Sequence, residues 1–283
     1  MIEPRVHATL DPDGDLVTTG IGPHGDLVAL WKSGAGWRIT GHGGPIETEL
    51  AIEHPDVQPL PNGRVLVAGA RCRWSSTGVA PNAFVLDQTG QVVASAVFGD
   101  GIEHLATTPS GQSWVGYFDE GVFGNLGWGG PGPEPIGVTG LVRFDENLDL
   151  AWEFPDDTPF DTIDDCYALN VAGEDAWACY YSDFPVVRVA DGKVAGWTTE
   201  AEGPKALVVD GYRCALVGGY GDGWPVVVGT LSHDGEFTVV RETALALPED
   251  PARMSGRGDT LHIVAGRTHY KVDLDQLTHP AVP

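Results

Sequence analysis

Short runs of Val, Leu, Trp, Tyr and Phe alternate with turn residues along almost the whole chain, and amphipathic helical stretches are nearly missing. This pattern predicts an all-β protein. One unit recurs: a short strand opened by a polar residue, a tight turn, a very apolar second strand, then a third and a fourth strand joined by another tight turn. The second strands align as Arg64–Ala70 (RVLVAGA), Ser113–Asp119 (SWVGYFD), Ala176–Ser182 (AWACYYS), Ala215–Tyr220 (ALVGGY) and Leu261–Gly266 (LHIVAG), with Leu16–Gly20 (LVTTG) read as a sixth. The third and fourth strands flank Asp87-Gln88-Thr89-Gly90, Asp145-Glu146-Asn147-Leu148, Ala190-Asp191-Gly192-Lys193 and Ser232-His233-Asp234-Gly235, all of hairpin-turn composition.

Six units of about 40 to 50 residues, each a four-stranded meander, resemble a β-propeller, in which four-stranded sheets repeat radially as blades. The resemblance spans nearly the whole chain as a single domain, residues 1–283, and lies in the blade pattern. Neither a tryptophan-aspartate repeat nor a kelch double glycine stands in register. The set is also similar to uncharacterised propeller-like proteins of actinobacteria, from which no catalytic residue carries over. The resemblance implies six blades of antiparallel strands, near 7–40, 54–100, 101–156, 163–201, 203–247 and 253–274. The last runs out after its third strand, so residues 1–6 are expected to supply its outer strand, pairing N- and C-terminal segments and removing a sheet edge. A β-sandwich is the alternative fold.

Composition narrows the partners. Sixteen basic against forty acidic residues give a formal charge of -24, which repels phosphate backbones and anionic headgroups, so neither nucleic acid nor a membrane surface is expected. The start of the chain has no basic segment followed by an apolar run, and a cytoplasmic protein is expected. Cys72, Cys166, Cys179 and Cys214 lie far apart beside apolar residues and read as buried free thiols, Cys166 included despite its neighbours Asp165 and Tyr167.

If the strands of each blade alternate in direction from the innermost outward, the tight turns gather on one face and the long segments 71–82, 120–139 and 155–163 on the other, where ligand contacts are expected. The innermost residues facing that side read His7, Asp56, His104, Tyr167, Lys205 and Arg253. Around them come Asp164 and Asp165, then strand ends with Asp119, Glu120, Tyr181 and Asp183. Aromatic walls around a few convergent charges suit a small-molecule pocket.

Asp119, Asp164, Asp165, Asp183 and His104 are the candidate acid-base residues, because crowded carboxylates in unlike environments can divide the two roles. Asp56, Glu120, Trp128, Tyr167, Tyr181 and Lys205 are the candidate ligand contacts. Trp128 lies in a Gly- and Pro-rich segment read as a loop over the site. Each has a plainer reading as well: channel solvation for the polar ring, turn formation for Asp164 and Asp165, blade packing for Trp128, and an ion pair with carboxylates for Lys205. No cofactor is expected; a divalent cation such as Ca2+ among Asp56, His104 and Asp165 has no dedicated binding loop to support it, and the scattered cysteines do not suit zinc. The expected function is binding of a cationic or polyhydroxyl small molecule, with or without acid-base turnover. The alternative is a non-catalytic scaffold for a protein partner.

Overall fold

The computed structural model describes residues 1–10, 14–34 and 36–279. Strand β1 (Arg5–Thr9) precedes a first sheet of β2 (Asp15–Ile21), β3 (Leu27–Ser33), β4 (Gly36–Thr40) and β5 (Ile46–Thr48). The second sheet holds β6 (Pro55–Pro59), β7 (Val65–Gly69), β10 (Ala83–Leu86) and β11 (Val92–Ala96). Its long connection forms a ribbon of β8 (Trp74–Ser75) and β9 (Gly78–Val79). The third contains β12 (Ile102–Thr107), β13 (Ser113–Tyr117), β14 (Leu141–Phe144) and β15 (Leu150–Glu153), with a one-turn helix α1 (Asp119–Phe123) after β13. The fourth is β16 (Asp165–Ala172), β17 (Asp175–Tyr181), β18 (Val186–Ala190) and β19 (Lys193–Trp197), and the fifth β20 (Ala206–Asp210), β21 (Arg213–Val217), β22 (Pro225–Leu231) and β23 (Phe237–Ala244). The sixth joins β24 (Pro251–Arg257), β25 (Thr260–Ala265) and β26 (Thr268–Asp273) to β1, and helix α2 (Leu274–Thr278) follows.

Within each of these six sheets neighbouring strands are antiparallel wherever their register is resolved, and β1 closes the sixth by pairing with β26. The N-terminal strand thus runs three residues past the expected 1–6, and His7 lies on an outermost strand, not in an innermost ring. The first sheet begins at Asp15, so Leu16–Gly20 is its first strand and the more apolar β3 its second. The turn between the first two strands is Gly22–Asp26, where Gly22 N–H bonds Asp26 O at 2.7 Å.

The remaining hairpins follow their turn chemistry. Asp87 accepts from the N–H groups of Thr89 and Gln91, and Asp145 from those of Asn147 and Asp149; Ser232 Oγ plays the same part for Asp234 and Glu236. Hydrogen bonds to Thr89 hold the Asp87 carboxyl below its ordinary pKa, and those to Asp149 and Asn147 do the same for Asp145. Leu148 takes the left-handed position (φ 68) that Gly90 and Gly235 fill in the other two turns, because its side chain is buried.

The outer edges are blunted. The outermost strands β1, β11, β15 and β23 each carry one residue more than the partner strand at a register shift, namely His7, Val93, Ala151 and Val240. A bulge bends the edge and breaks its row of free N–H and C=O groups, which discourages pairing with another chain. It also explains apolar residues in the open, Val240 being 63% exposed. The outermost strand of the first sheet, β5, is only three residues long.

By contacts the chain divides into two compact units: Met1–Asp11, Pro159–Asp161 and Tyr167–Pro283 form one, and Pro12–Thr158 with Thr162–Cys166 the other. In the first, Val208, Ala215, Val226, Leu261, Ile263 and Val272 build one core cluster, and Trp177, Cys179, Val186, Leu207, Leu216 and Phe237 another. In the second, Leu66, Val85, Phe98, Val115, Tyr117 and Val142 pack together. First strands approach closely within each unit: a Cβ on Gly20 would overlap the Val57 carbonyl oxygen, and one on Gly256 that of Leu207. Among the described residues no helix is long and apolar enough to cross a membrane.

Candidate functional site

The sequence-derived candidates fall into both units. Tyr167, Tyr181, Asp183 and Lys205 belong to the first; Asp56, His104, Asp119, Glu120, Trp128, Asp164 and Asp165 belong to the second.

In the first unit an aromatic cluster forms around Phe184. Its ring meets Tyr167, Tyr181 and Tyr220 edge to face, with centroids 5.1, 5.8 and 5.9 Å away. Tyr167 and Tyr220 are themselves edge to face at 6.0 Å, and the Tyr220 hydroxyl donates to that of Tyr167 at 3.0 Å. Phe184 is buried, whereas Tyr181 is 48% and Tyr220 58% exposed, so a core ring anchors two rings that face solvent.

Local backbone explains the arrangement. Tyr167 is the third residue of β16, Tyr181 ends β17, and Asp183 and Phe184 follow at φ 61 and 48, two successive left-handed residues with side chains. Such positions cost about 1–3 kcal/mol each and persist where surrounding contacts impose them. The Cys179 thiol, 3.2 Å from the Phe184 carbonyl, ties this turn to its strand. Tyr220 stands in the segment Gly218-Gly219-Tyr220-Gly221. A Cβ on Gly203 would press at 3.0 Å on the Tyr220 ring, and one on Gly218 at 2.9 Å on the Lys205 stem. These glycines let the backbone lie against both side chains.

Lys205 immediately precedes β20, where its N–H bonds Val217 O at 2.7 Å. Its Nζ lies 4.7 Å from the centre of the Tyr167 ring, and among the described residues it forms no ion pair. The expected carboxylate partner is replaced by a ring face, whose negative quadrupole attracts the ammonium. Asp183 is exposed in the same turn.

In the second unit the ordered charges are structural. Arg71 donates to both oxygens of Asp100, at 3.0 and 3.1 Å, and its Nη2 lies 2.8 Å from Glu120; Asp100 also accepts the Cys72 N–H at 2.7 Å. Asp100 is buried, so this bidentate pairing compensates a desolvated carboxylate. Burial opposes the Arg71 charge, but the bonds and charges of Asp100 and Glu120 outweigh it and raise the guanidinium pKa. Glu120 therefore ties α1 to the end of β7. Asp119 is exposed at the start of that helix and accepts the Glu120 N–H at 2.7 Å.

Trp128 is only 7% exposed and its indole N–H donates to Cys72 O at 2.7 Å, so it is buried and tied to the segment after β7; the exposed aromatic of its own loop is Phe123. Asp56 is buried on β6 and accepts the Val57 N–H at 2.8 Å. Half-buried His104 sits on β12, and a Cβ on the opposite Gly116 would lie 2.6 Å from Cys166 Sγ. Burial, followed by the charges of Asp165 and Glu103, drives the Cys166 thiol far up, which keeps it protonated and unreactive. Asp164 and Asp165 are half-buried, and the Thr162 hydroxyl donates to Asp164 at 3.3 Å. All four cysteines are free and buried. Among the described residues no group of three or more His, Cys, Asp or Glu is arranged to hold a metal ion.

A separate cleft of about 420 Å³ is lined by Thr198, Thr199, Glu200, Glu236, Phe237 and Val239. None of the sequence-derived candidates lines it.

Comparison with solved structures identifies the architecture. The chain resembles Hsv2 of Kluyvelomyces marxianus (TM-score 0.55, 12% identity, covering 93% of this chain and 78% of that one). It also resembles the calcium-binding protein regucalcin of Agrobacterium tumefaciens (0.52, 12%, 96% and 94%). The PQQ-bound aldose sugar dehydrogenase of Streptomyces coelicolor is similar too (0.50, 13%, 95% and 97%). The fold is that of a six-bladed β-propeller. A YxzG family model matches residues 149–209, well short of half the chain, and no curated protein matches. The fold is shared by proteins of unlike roles, so function has to be argued from the side chains.

The sequence pointed to Tyr167, Tyr181 and Lys205 but missed Phe184, which centres the cluster, and Asp100, which centres the charged one. Phe184 stands in Ser182-Asp183-Phe184-Pro185 after a predicted second strand, where a turn with an aromatic was the available signal. Asp100 lies between two glycines and looks like an ordinary turn residue.

Proposed function

We propose that this protein binds a small polyhydroxyl molecule at the tyrosine cluster of its fourth and fifth blades. The observation that carries the reading is the pair of half-exposed rings, Tyr181 and Tyr220, held against buried Phe184. Flat aromatic faces pack on the C–H faces of a sugar ring, while nearby hydroxyls and a carboxylate such as Asp183 bond its hydroxyl groups. Of the two ligand classes expected from the sequence, the cationic one is disfavoured, because the Tyr167 ring already carries the Lys205 ammonium.

Calorimetric titration with a set of monosaccharides and oligosaccharides tests this. At least one is expected to bind, and Tyr181→Ala and Tyr220→Ala are each expected to weaken it about tenfold. Both rings are half exposed, so thermal stability should change little. Unchanged sugar affinity in both variants rules the site out.

A second reading, a surface for a protein partner, is favoured by the cleft beside β23, where Glu200 and Glu236 border buried Phe237 and exposed Val239. Its mark would be a basic peptide whose binding is lost in Glu200→Gln with Glu236→Gln and kept in the tyrosine variants.

A further inference from the structure

Resting on the proposed polyhydroxyl site, we infer that its ligand carries a carboxylate, received by Lys205, and is therefore a sugar acid. With sixteen basic residues against forty acidic ones, an ammonium group in this protein has many possible carboxylate partners, and Glu202, Asp183 and Asp222 lie in the same loops. Lys205 nonetheless forms no ion pair among the described residues and rests on the Tyr167 ring at 4.7 Å. A ring face stabilises the positive charge without supplying a hydrogen-bond acceptor of its own, so the N–H donors of the ammonium stay available to an incoming anion.

Position supports the assignment. The Lys205 backbone is bonded to Val217, its stem lies against Gly218, and the ring beneath its ammonium hydrogen-bonds through its hydroxyl to exposed Tyr220. A ligand stacked on Tyr220 is therefore next to a placed cation. The acidic surroundings do not forbid this, since charges farther off than a Debye length of about 8 Å are largely screened at physiological salt. A contact ion pair is screened less. Asp183 is left to accept hydrogen bonds from the hydroxyl groups of the sugar ring.

The test compares glucuronate, its neutral methyl ester and glucose by calorimetry on the full chain, in the native protein, Lys205→Met, Lys205→Arg and Tyr220→Ala. Glucuronate is expected to bind about tenfold tighter than either neutral probe, a preference that falls to about twofold or less in Lys205→Met, survives in Lys205→Arg and shrinks with added salt. Tyr220→Ala should weaken all three probes together.

Equal affinity for acid and ester in the native protein, or a preference that persists in Lys205→Met, overturns the carboxylate. In that case the polyhydroxyl site still stands if Tyr220→Ala abolishes glucose binding. If none of the probes binds the native protein, or Tyr220→Ala leaves all of them unaffected, the site itself falls and the inference with it.

Discussion

Asn170→Ala is expected to lower the unfolding free energy by about 3–5 kcal/mol, because each buried polar group left without a partner costs about 1–3 kcal/mol. Asn170 is fully buried near the end of β16. Its Nδ2 donates to Leu207 O at 2.9 Å and to Gly258 O at 2.8 Å, and its Oδ1 accepts the Gly258 N–H at 2.9 Å. One side chain therefore joins three blades of its unit at the point where β16 and β24 share a single parallel bridge, Asn170 to Gly256. Gly256 has to lack a side chain here, since its Cβ would stand 2.6 Å from the Asn170 amide nitrogen.

Alanine removes all three bonds and leaves the Leu207 carbonyl and the Gly258 N–H to be satisfied some other way, while the Gly258 carbonyl keeps the Val209 N–H at 2.8 Å. For a chain of this size the melting temperature should drop by about 10 °C, followed by circular dichroism. Asn170→Asp should be no better, since it trades the donor for a carboxylate facing two carbonyl oxygens. A melting curve for Asn170→Ala that overlays the native one removes this account. Asn82 repeats the device in the other unit, bonding Gly69 O, Gly99 O and Phe98 N–H at 2.8 Å each.

These asparagines mark the limit of what the chain discloses on reading. Alternation and turn chemistry act between neighbours, so second strands such as Val65–Gly69 and hairpins such as Asp87–Gly90 were legible from local composition. Closure by the N-terminal segment was legible too, because the last unit lacked a strand. The offset of the first blade was not: it depends on pairing of β1 with β26, far away in sequence.

The same division holds at the site. Tyr167, Tyr181 and Lys205 are candidates in sequence because they stand at strand starts and ends. That Lys205 would meet a ring and not a carboxylate depends on how two loops pack, and an asparagine inside the apolar run Ala168–Val171 gives no hint of which carbonyls it reaches. Nor did sequence show that Glu120 would be bound up with Arg71, since the link runs between segments with their own turns.

Acid should destabilise the protein through two histidines on the sixth blade. His262 on β25 and His269 on β26 are both buried, with Nδ1 of one 3.1 Å from Nε2 of the other and the rings stacked at 5.2 Å. One ring donates and the other accepts, so the pair is at home with both rings neutral. Burial pushes His262 down to about 3, helped by His269, Lys271, Arg257 and His7; it pushes His269 down to about 4, helped by Lys271 and His7. These are the charged groups facing the pair from β24, β26 and β1.

In the unfolded chain both titrate near the ordinary 6.5. As pH falls below that value the unfolded state takes up protons that the folded state refuses, so the stability present above 6.5 is progressively lost until the folded values are reached. Between about pH 7 and about pH 5 this removes up to about 2 kcal/mol per histidine. Asp87 and Asp145, held below their ordinary 3.8, add to the loss only at lower pH. Urea unfolding at a series of pH values should therefore show stability falling with acid well before the carboxylates titrate. In His262→Gln with His269→Gln that slope should flatten whatever the absolute stability of the variant. Parallel slopes for the two proteins would mean that the pair charges without cost, and that its burial between β24, β26 and β1 leaves room for water.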